Sequence, residues 1–333
     1  MISVYPALTP EERALLDRAA SWPGCAWGEV SPEIVQQLAA SEGIDFVTAL
    51  LYHRLRNSDE HGRFIRAVES MPDTPEARRL LRETTVAIVP GAFYAEHPET
   101  GADGRFVREE ATRLGCRTTF VPLLSFGPLR ENAQRLLDWL DRQPAQPIVL
   151  VSLSKGGAEV RLALEDRSAA VRFKHVAAWI NLSGVVRGTA VVDWLVRHRL
   201  HALGVRLLFA WHGYSYSALH ELRRSREMLH GDFQLPAELL AIHVYGFPLL
   251  RHLSRPIARR GHRRLAPLGP NDGGLSLLAD LVGLPGRIYP VWGADHYLQP
   301  AWDVNGMLRP MFLYVAEHRL ASALALGTGS ERS

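Results

Sequence analysis

The residues with the clearest chemical potential are a serine, an aspartate and a histidine that each follow a short apolar segment. Ser154 lies in the pentapeptide Ser-Leu-Ser-Lys-Gly, between the apolar segment 147–151 and a helix-like run at 158–164. A serine on so tight a strand-to-helix turn is held in strained backbone angles, and small neighbours relieve the crowding. Its hydroxyl would project from the sheet beside helix amides that stabilise developing negative charge. The alternative is an ordinary Gly-Gly turn that contains serines.

A nucleophilic serine requires a base, and the base requires an acid that orients it. Asp272 lies in an Asn-Asp-Gly-Gly loop after the predicted strand 240–245, and His296 directly follows the predicted strand 287–292. Taken singly, Asp272 could serve the turn and His296 could be a structural histidine. The order serine, aspartate, histidine, with each residue at a strand end, predicts a catalytic triad.

Two backbone amides are expected to bind the oxyanion of the reaction. One should come from Lys155, the residue after the nucleophile. The other should come from the loop after the first predicted strand, where Ala92 is the first choice and Phe93 the next. Gly91 in this loop lets the backbone approach a ligand closely.

The elements that would position these residues alternate between strand and helix from residue 85 onward. Strands are predicted at 86–90, 116–123, 147–151, 176–182, 240–245 and 287–292, and helices at 105–114, 130–141, 158–164, 275–281 and 308–324. Such alternation implies right-handed crossovers and a mostly parallel sheet covered by helices on both faces. The predicted fold class is therefore α/β.

The first 84 residues have the pattern of helices. A capping hydroxyl precedes a proline at three places, Thr9, Ser31 and Thr74. We predict a helical N-terminal extension over residues 1–84 and a catalytic domain over 85–326. His61, within the extension, is expected on a solvated face.

Residues 188–236 interrupt the alternation with a long, helical and aromatic-rich segment, which we predict to form a cap or lid. Phe93, Trp211 and Tyr214 are the candidate substrate-binding residues, because binding pockets are chiefly apolar and aromatic. The alternative is that these aromatic side chains serve ordinary packing.

Composition excludes several other classes. The chain has 333 residues, 47% of them hydrophobic, and a net charge of only +3, which does not favour a nucleic-acid binder. Two cysteines, Cys25 and Cys116, form neither a disulfide framework nor a metal site, and no phosphate-binding or dinucleotide motif occurs. No cofactor or metal is therefore expected. Without a signal-peptide pattern or an apolar run of about 20 residues, the protein is expected in the cytoplasm, with no membrane span.

Residues 85–326 resemble an α/β-hydrolase, and several motifs are similar to those of bacterial lipases. Residues 89–92, Val-Pro-Gly-Ala, resemble the His-Gly-x oxyanion segment, and residues 187–189, Arg-Gly-Thr, with Asp193 resemble a lipase segment that follows the sixth strand. The resemblance implies Ser154 as nucleophile, Asp272 as acid and His296 as base. Ser152 stands where the family has glycine.

The expected function is a serine hydrolase that cleaves small-molecule carboxylic esters through a covalent acyl-enzyme. A thioesterase or acyltransferase would use the same triad on chains borne by an acyl-carrier protein, which the basic loop Arg251–Arg264 could contact. That loop could also be plain solvated surface. The third alternative is a non-catalytic binding protein on a hydrolase scaffold.

Overall fold

The computed structural model describes residues 8–229, 231–298 and 306–318. Six strands within these ranges form one sheet in the order β2-β1-β3-β4-β5-β6, and every neighbouring pair is parallel. The strands are β1 (Thr85–Val89), β2 (Arg117–Phe120), β3 (Ile148–Leu153), β4 (Val176–Leu182), β5 (Leu240–Phe247) and β6 (Arg287–Trp292). The predicted parallel α/β sheet is confirmed.

Helices cover both faces of the sheet. They are α1 (Pro10–Ser21), α2 (Pro32–Glu42), α3 (Ile44–Arg56), α4 (Asp59–Glu69), α5 (Pro75–Arg82), α6 (Arg105–Arg113), α7 (Leu129–Asp141), α8 (Lys155–Leu164), α9 (Ala169–Arg172), α10 (Ala190–Arg197), α11 (Arg199–His212), α12 (Tyr216–Glu221), α13 (Pro256–Leu265) and α14 (306–318). The part of the predicted last helix beyond residue 318 lies outside the described residues. In the described ranges, no helix is both long and apolar enough to cross a lipid bilayer.

The N-terminal helices wrap the β6 edge of the sheet. On one face Tyr52 of α3 packs against Trp292, with ring centroids 4.9 Å apart, and on the other face Phe64 of α4 contacts Tyr289 at 6.4 Å. The Ile288 amide of this edge strand donates to His61 Nδ1 at 3.3 Å. These helices therefore cover a strand edge that would otherwise expose unpaired backbone groups.

The prediction that His61 lies on a solvated face is wrong, because its side chain is buried against the sheet. It accepts the hydrogen bond from β6 and makes an edge contact with Trp27 at a centroid distance of 6.2 Å. Burial lowers the pKa of His61 to about 4, so the ring is neutral at physiological pH. The sequence offered no signal for this placement, since the contact joins residues 227 positions apart.

Two local predictions after β5 are wrong. The segment 251–264 is not an extended loop, because residues from Pro256 onward form α13, which buries Ala258, His262 and Leu265 at helical spacing. The helix predicted at 275–281 is only a short 3₁₀ helix, Leu278–Leu281. The preceding residues instead turn around the Asp272 carboxylate, whose Oδ1 accepts the amides of residues 275 and 276.

Candidate active site

Ser154 occupies a sharp turn between β3 and α8. Its backbone has φ 48° and ψ −114°, a conformation that is unfavourable for a residue with a side chain. Three hydrogen bonds hold it there: the Ser154 amide donates to the Leu182 carbonyl at 3.1 Å, and the Ser154 carbonyl accepts from the Val185 and Gly157 amides at 3.0 Å each. This is the conformation expected of a nucleophile elbow.

Two glycines allow the elbow to pack directly against the loop after β1. A Cβ atom at Gly156 would lie 2.6 Å from the carbonyl oxygens of both Val89 and Pro90. A Cβ atom at Gly91 would lie 3.3 Å from the Leu153 carbonyl oxygen and 3.5 Å from the Ser154 Cβ atom. The absence of side chains at these positions therefore brings the predicted oxyanion loop next to the serine.

The three residues of the predicted triad come together at the carboxyl ends of the strands. The Ser154 hydroxyl lies 2.9 Å from His296 Nε2, and His296 Nδ1 lies 2.7 Å from Asp272 Oδ2. Asp272 is fully buried, and the His296 ring is almost so. The geometry suits a chain in which the serine hydroxyl donates to Nε2 while Nδ1–H donates to the carboxylate.

The surroundings of Asp272 favour its ionised form. Burial acts to raise its pKa, but the adjacent His296, with the amides of Ser276 and Leu275, outweighs burial and keeps the pKa below its ordinary value. The carboxylate thus contributes stability above the unfolded-state pKa, and that contribution is lost as the pH falls through the lowered value. At neutral pH Asp272 can orient the imidazole and stabilise its cation.

The backbone amides of Ala92 and Lys155 are the two that are expected to bind an oxyanion. Neither has a hydrogen-bond partner within the described residues. The neighbouring amides are occupied, since Gly91 donates to the Ala102 carbonyl at 2.9 Å and Phe93 to the Ser125 carbonyl at 3.3 Å. Of the two candidates in the β1 loop, only Ala92 therefore keeps an amide available to a ligand.

An aromatic cluster adjoins the same loop. The Phe93 ring stacks on Phe126 with centroids 4.4 Å apart. Phe209 of α11 and Tyr214, which follows that helix, contact it edge-on at 6.1 and 5.1 Å. Two of the three candidate substrate-binding residues, Phe93 and Tyr214, are therefore in direct contact with each other. The cluster connects α11 to the loop beside Ser154.

Trp211 does not join this cluster. It is 87% exposed and stacks on His212 at the outer surface of α11, so the expectation that it lines a pocket does not match its position. The reason is helical geometry: two residues beyond Phe209 correspond to about 200° of rotation, which turns Trp211 away from the face that carries Phe209.

A cavity of about 320 Å³ is lined by His296 but not by Ala92, Lys155 or the aromatic cluster. Its lining combines His296, Tyr297 and the acid-loop residues 273–275 with residues of α13 and Val191 of α10. From α13 the lining includes Ile257, Arg260 and Arg264. The sequence analysis gave Ile257 no role and gave the two arginines only a possible contact with a carrier protein, as part of the basic segment Arg251–Arg264. Their place beside His296 depends on α13 folding over the acid loop.

Ser152 belongs to a polar row beneath the elbow. The Trp179 indole donates to its hydroxyl at 2.8 Å, and that hydroxyl donates to Asn181 Oδ1 at 2.9 Å. Asn181 Nδ2 contacts His243 Nδ1 at 3.0 Å, and His243 Nε2 contacts the Pro285 carbonyl at 3.0 Å. The serine thus satisfies two buried polar neighbours that a glycine would leave without this link.

The signal for this row was present in the sequence but required the strand register. Ser152, Asn181 and His243 are directly paired positions on β3, β4 and β5. A single polar residue at the matching place in each of three buried strands is the pattern that could have revealed the network, since buried polar side chains need partners.

The buried His243 predicts acid sensitivity of the fold. Burial lowers its pKa from 6.5 to about 4, against a raising effect of the Pro285 carbonyl. At a pH between these two values the unfolded chain binds a proton that the folded chain excludes. The unfolding free energy should therefore decrease, by up to about 3 kcal/mol, as the pH is lowered from above 6.5 to 4. Urea denaturation from pH 7 to 4.5 should show a shallower decline for His243→Gln. Equal declines in both proteins would contradict this.

No family model matches the chain. Its structure is similar to that of a metagenomic carboxyl esterase, with a TM-score of 0.56 and 22% identity, covering 71% of this chain and 76% of that one. It is also similar to the mature form of a Bacillus licheniformis lipase, with a TM-score of 0.54 and 18% identity over 71% of this chain and 92% of that one. A curated Manihot esculenta protein, anthocyanidin 3-O-glucosyltransferase 5, is 27% identical over 198 residues, or 50% of this chain and 40% of that protein.

The parallel sheet and the similarity to the two solved structures show that the chain has the α/β-hydrolase fold.

Proposed function

We propose that this protein is a serine hydrolase that cleaves carboxylic esters. The observation that carries the proposal is the contact of His296 with Ser154 at 2.9 Å and with the buried Asp272 at 2.7 Å. The two similar structures, a carboxyl esterase and a lipase, support the same reaction class. Sugar transfer is not proposed, because the arrangement at Ser154 is that of an acyl-transfer nucleophile.

Acylation begins when His296 Nε2 takes the proton of the Ser154 hydroxyl as its oxygen attacks the ester carbonyl carbon. The carbonyl oxygen becomes an oxyanion, which the amides of Lys155 and Ala92 stabilise. The C–O bond to the alcohol then breaks, and the proton on Nε2 passes to the leaving oxygen. Asp272 keeps Nδ1–H in place and stabilises the imidazolium throughout.

Deacylation repeats the sequence with water. His296 takes a proton from a water molecule that attacks the acyl carbon, the same amides hold the second oxyanion, and the proton returns to the Ser154 oxygen as the acid leaves. In this scheme the aromatic cluster of Phe93, Phe126, Phe209 and Tyr214, which lies on the oxyanion-loop side, provides an apolar surface for the acyl chain.

A fluorophosphonate probe tests the proposal, because it reacts only with an activated serine. The purified protein should gain one probe mass on the peptide that contains Ser154, and prior incubation with an ester substrate should slow the labelling. Ser154→Ala should remain unlabelled while keeping the wild-type melting temperature. A wild-type protein that never reacts would refute the proposal and would favour the binding-protein alternative.

The thioester alternative shares every catalytic residue and differs in the leaving group. Matched butyryl ester and butyryl thioester substrates of one alcohol and its thiol distinguish the two. A kcat/KM that favours the ester supports the proposal, and one that strongly favours the thioester would replace it with thioester hydrolysis.

A further inference from the structure

Two arginines line the cavity beside His296. Arg260 and Arg264 lie one turn apart on α13, and both are exposed residues that line the cavity of about 320 Å³. His296, Tyr297 and Leu275 line the same cavity. The rest of the lining is apolar or glycine, with Ile257 and Val191 prominent. The lining therefore combines apolar side chains with two cationic groups.

These two guanidinium groups have no carboxylate within 4.0 Å in the described ranges. Many other arginines do, including Arg224, which pairs with Asp280 at 2.7 Å. The carboxylate on α10, Asp193, is occupied by Arg223 at 2.9 Å. Positive charge at the cavity is therefore left without an internal counter-charge, which favours an anionic ligand.

Arg264 is also held in position. Its guanidinium carbon lies 4.0 Å from the centroid of the Trp194 ring on α10, a cation–π arrangement that restricts the long side chain. Arginine so restricted loses less conformational freedom when it binds a carboxylate or phosphate, and its planar group can bind such anions through two hydrogen bonds.

The position of the cavity indicates which part of an ester it would receive. In ester cleavage the protonated histidine gives its proton to the leaving alcohol oxygen, whereas the oxyanion lies against the amides of Lys155 and Ala92. The cavity is lined by His296 and by neither of those two residues. The alcohol part of the substrate therefore fits this side, and the acyl part fits the side of the aromatic cluster.

We infer that the substrate is an ester whose alcohol part carries an anionic group, a carboxylate or a phosphate, bound by Arg260 and Arg264. This inference rests on the proposed ester hydrolysis. Ile257, Val191 and Leu275 would contact the carbon skeleton of the alcohol, and the two guanidinium groups would bind its charge. Binding the anion also places the leaving oxygen near His296 Nε2, so the charge selects the substrate and orients it.

The test compares two esters with the same acyl group, 4-butyryloxybenzoate and its neutral methyl ester. In the wild type, kcat/KM should be higher for the anionic ester, and the preference should decline with added salt. In the double variant Arg260→Gln, Arg264→Gln the anionic ester should lose about tenfold in kcat/KM, while the neutral ester should be nearly unaffected. The analogue with phosphate in place of carboxylate shows which of the two anions is preferred.

Arg263→Gln is the matched control, because Arg263 is an exposed arginine on the same helix that does not line the cavity. It should leave the preference intact. A double variant that discriminates between the two esters as the wild type does would overturn the inference. So would a charge effect seen only with mono(4-nitrophenyl) glutarate against 4-nitrophenyl valerate, where the anion is on the acyl side. If no ester is cleaved and Ser154 is not labelled, the proposed function itself fails and this inference fails with it.

Discussion

Ser154→Ala is expected to lower kcat for a short-chain ester by about 10⁶-fold, because the alanine protein cannot form the acyl-enzyme. The residual rate would come from the oxyanion amides and from substrate positioning, which do not require the hydroxyl. Initial rates with a 4-nitrophenyl ester, measured at high enzyme concentration, give the value. Wild-type activity in the alanine variant would exclude Ser154 as the nucleophile.

Asp272→Asn tests the proposed acid of the triad, and it should lower kcat by about 10⁴-fold. Asp272 Oδ2 lies 2.7 Å from His296 Nδ1, and an amide NH₂ there would favour the tautomer that carries its proton on Nε2. Such a histidine cannot accept the Ser154 proton. Asp280→Asn, which changes a carboxylate paired with Arg224, is the control and should keep kcat near the wild-type value.

Glu159→Leu is expected to lower the unfolding free energy by about 3–5 kcal/mol, because it leaves a buried ammonium group without its counter-charge. The side chains of Lys155 and Glu159 are 3% and 1% exposed and form an ion pair one turn apart on α8. Asn132 Nδ2 donates to the same carboxylate at 2.6 Å and also bonds both backbone groups of Leu124. The pair thus joins the start of α8 to the loop before α7.

Urea denaturation of the single and double variants measures this effect. Lys155→Met combined with Glu159→Leu should recover most of the lost stability, since no buried charge then remains. The matched control is Glu131→Leu, which breaks a pair of the same spacing with Arg135 whose side chains are 47% and 44% exposed. It should cost less than about 1 kcal/mol. Equal losses for Glu131→Leu and Glu159→Leu would show that burial is not the cause.

Much of the site was predictable because its positions follow from local sequence and strand order. Apolar runs separated by helix-like segments predict parallel strands, and the carboxyl ends of such strands meet at one edge of the sheet. Ser154, Asp272 and His296 each follow such a run, so the sequence predicted their proximity, and the structure places them within hydrogen-bonding distance. The turn that strains Ser154 is likewise local, since small neighbours and Gly156 permit it.

Other features depended on contacts between segments far apart in the chain. The side chain of His61 packs against β6, and Trp211 points outward. Both placements depend on how whole helices pack, and residue type and periodicity alone do not specify that packing. The cavity wall formed by Arg260 and Arg264 arises because Gly261 of α13 packs closely on the acid loop, where a Cβ atom would lie 2.8 Å from the Gly274 Cα atom. The sequence by itself determined the parallel sheet and the candidate positions of the proposed nucleophile, acid and base, since these depend on residue type and strand order. Only the tertiary structure decided which surfaces face the reacting atoms, because that depends on close packing between distant segments.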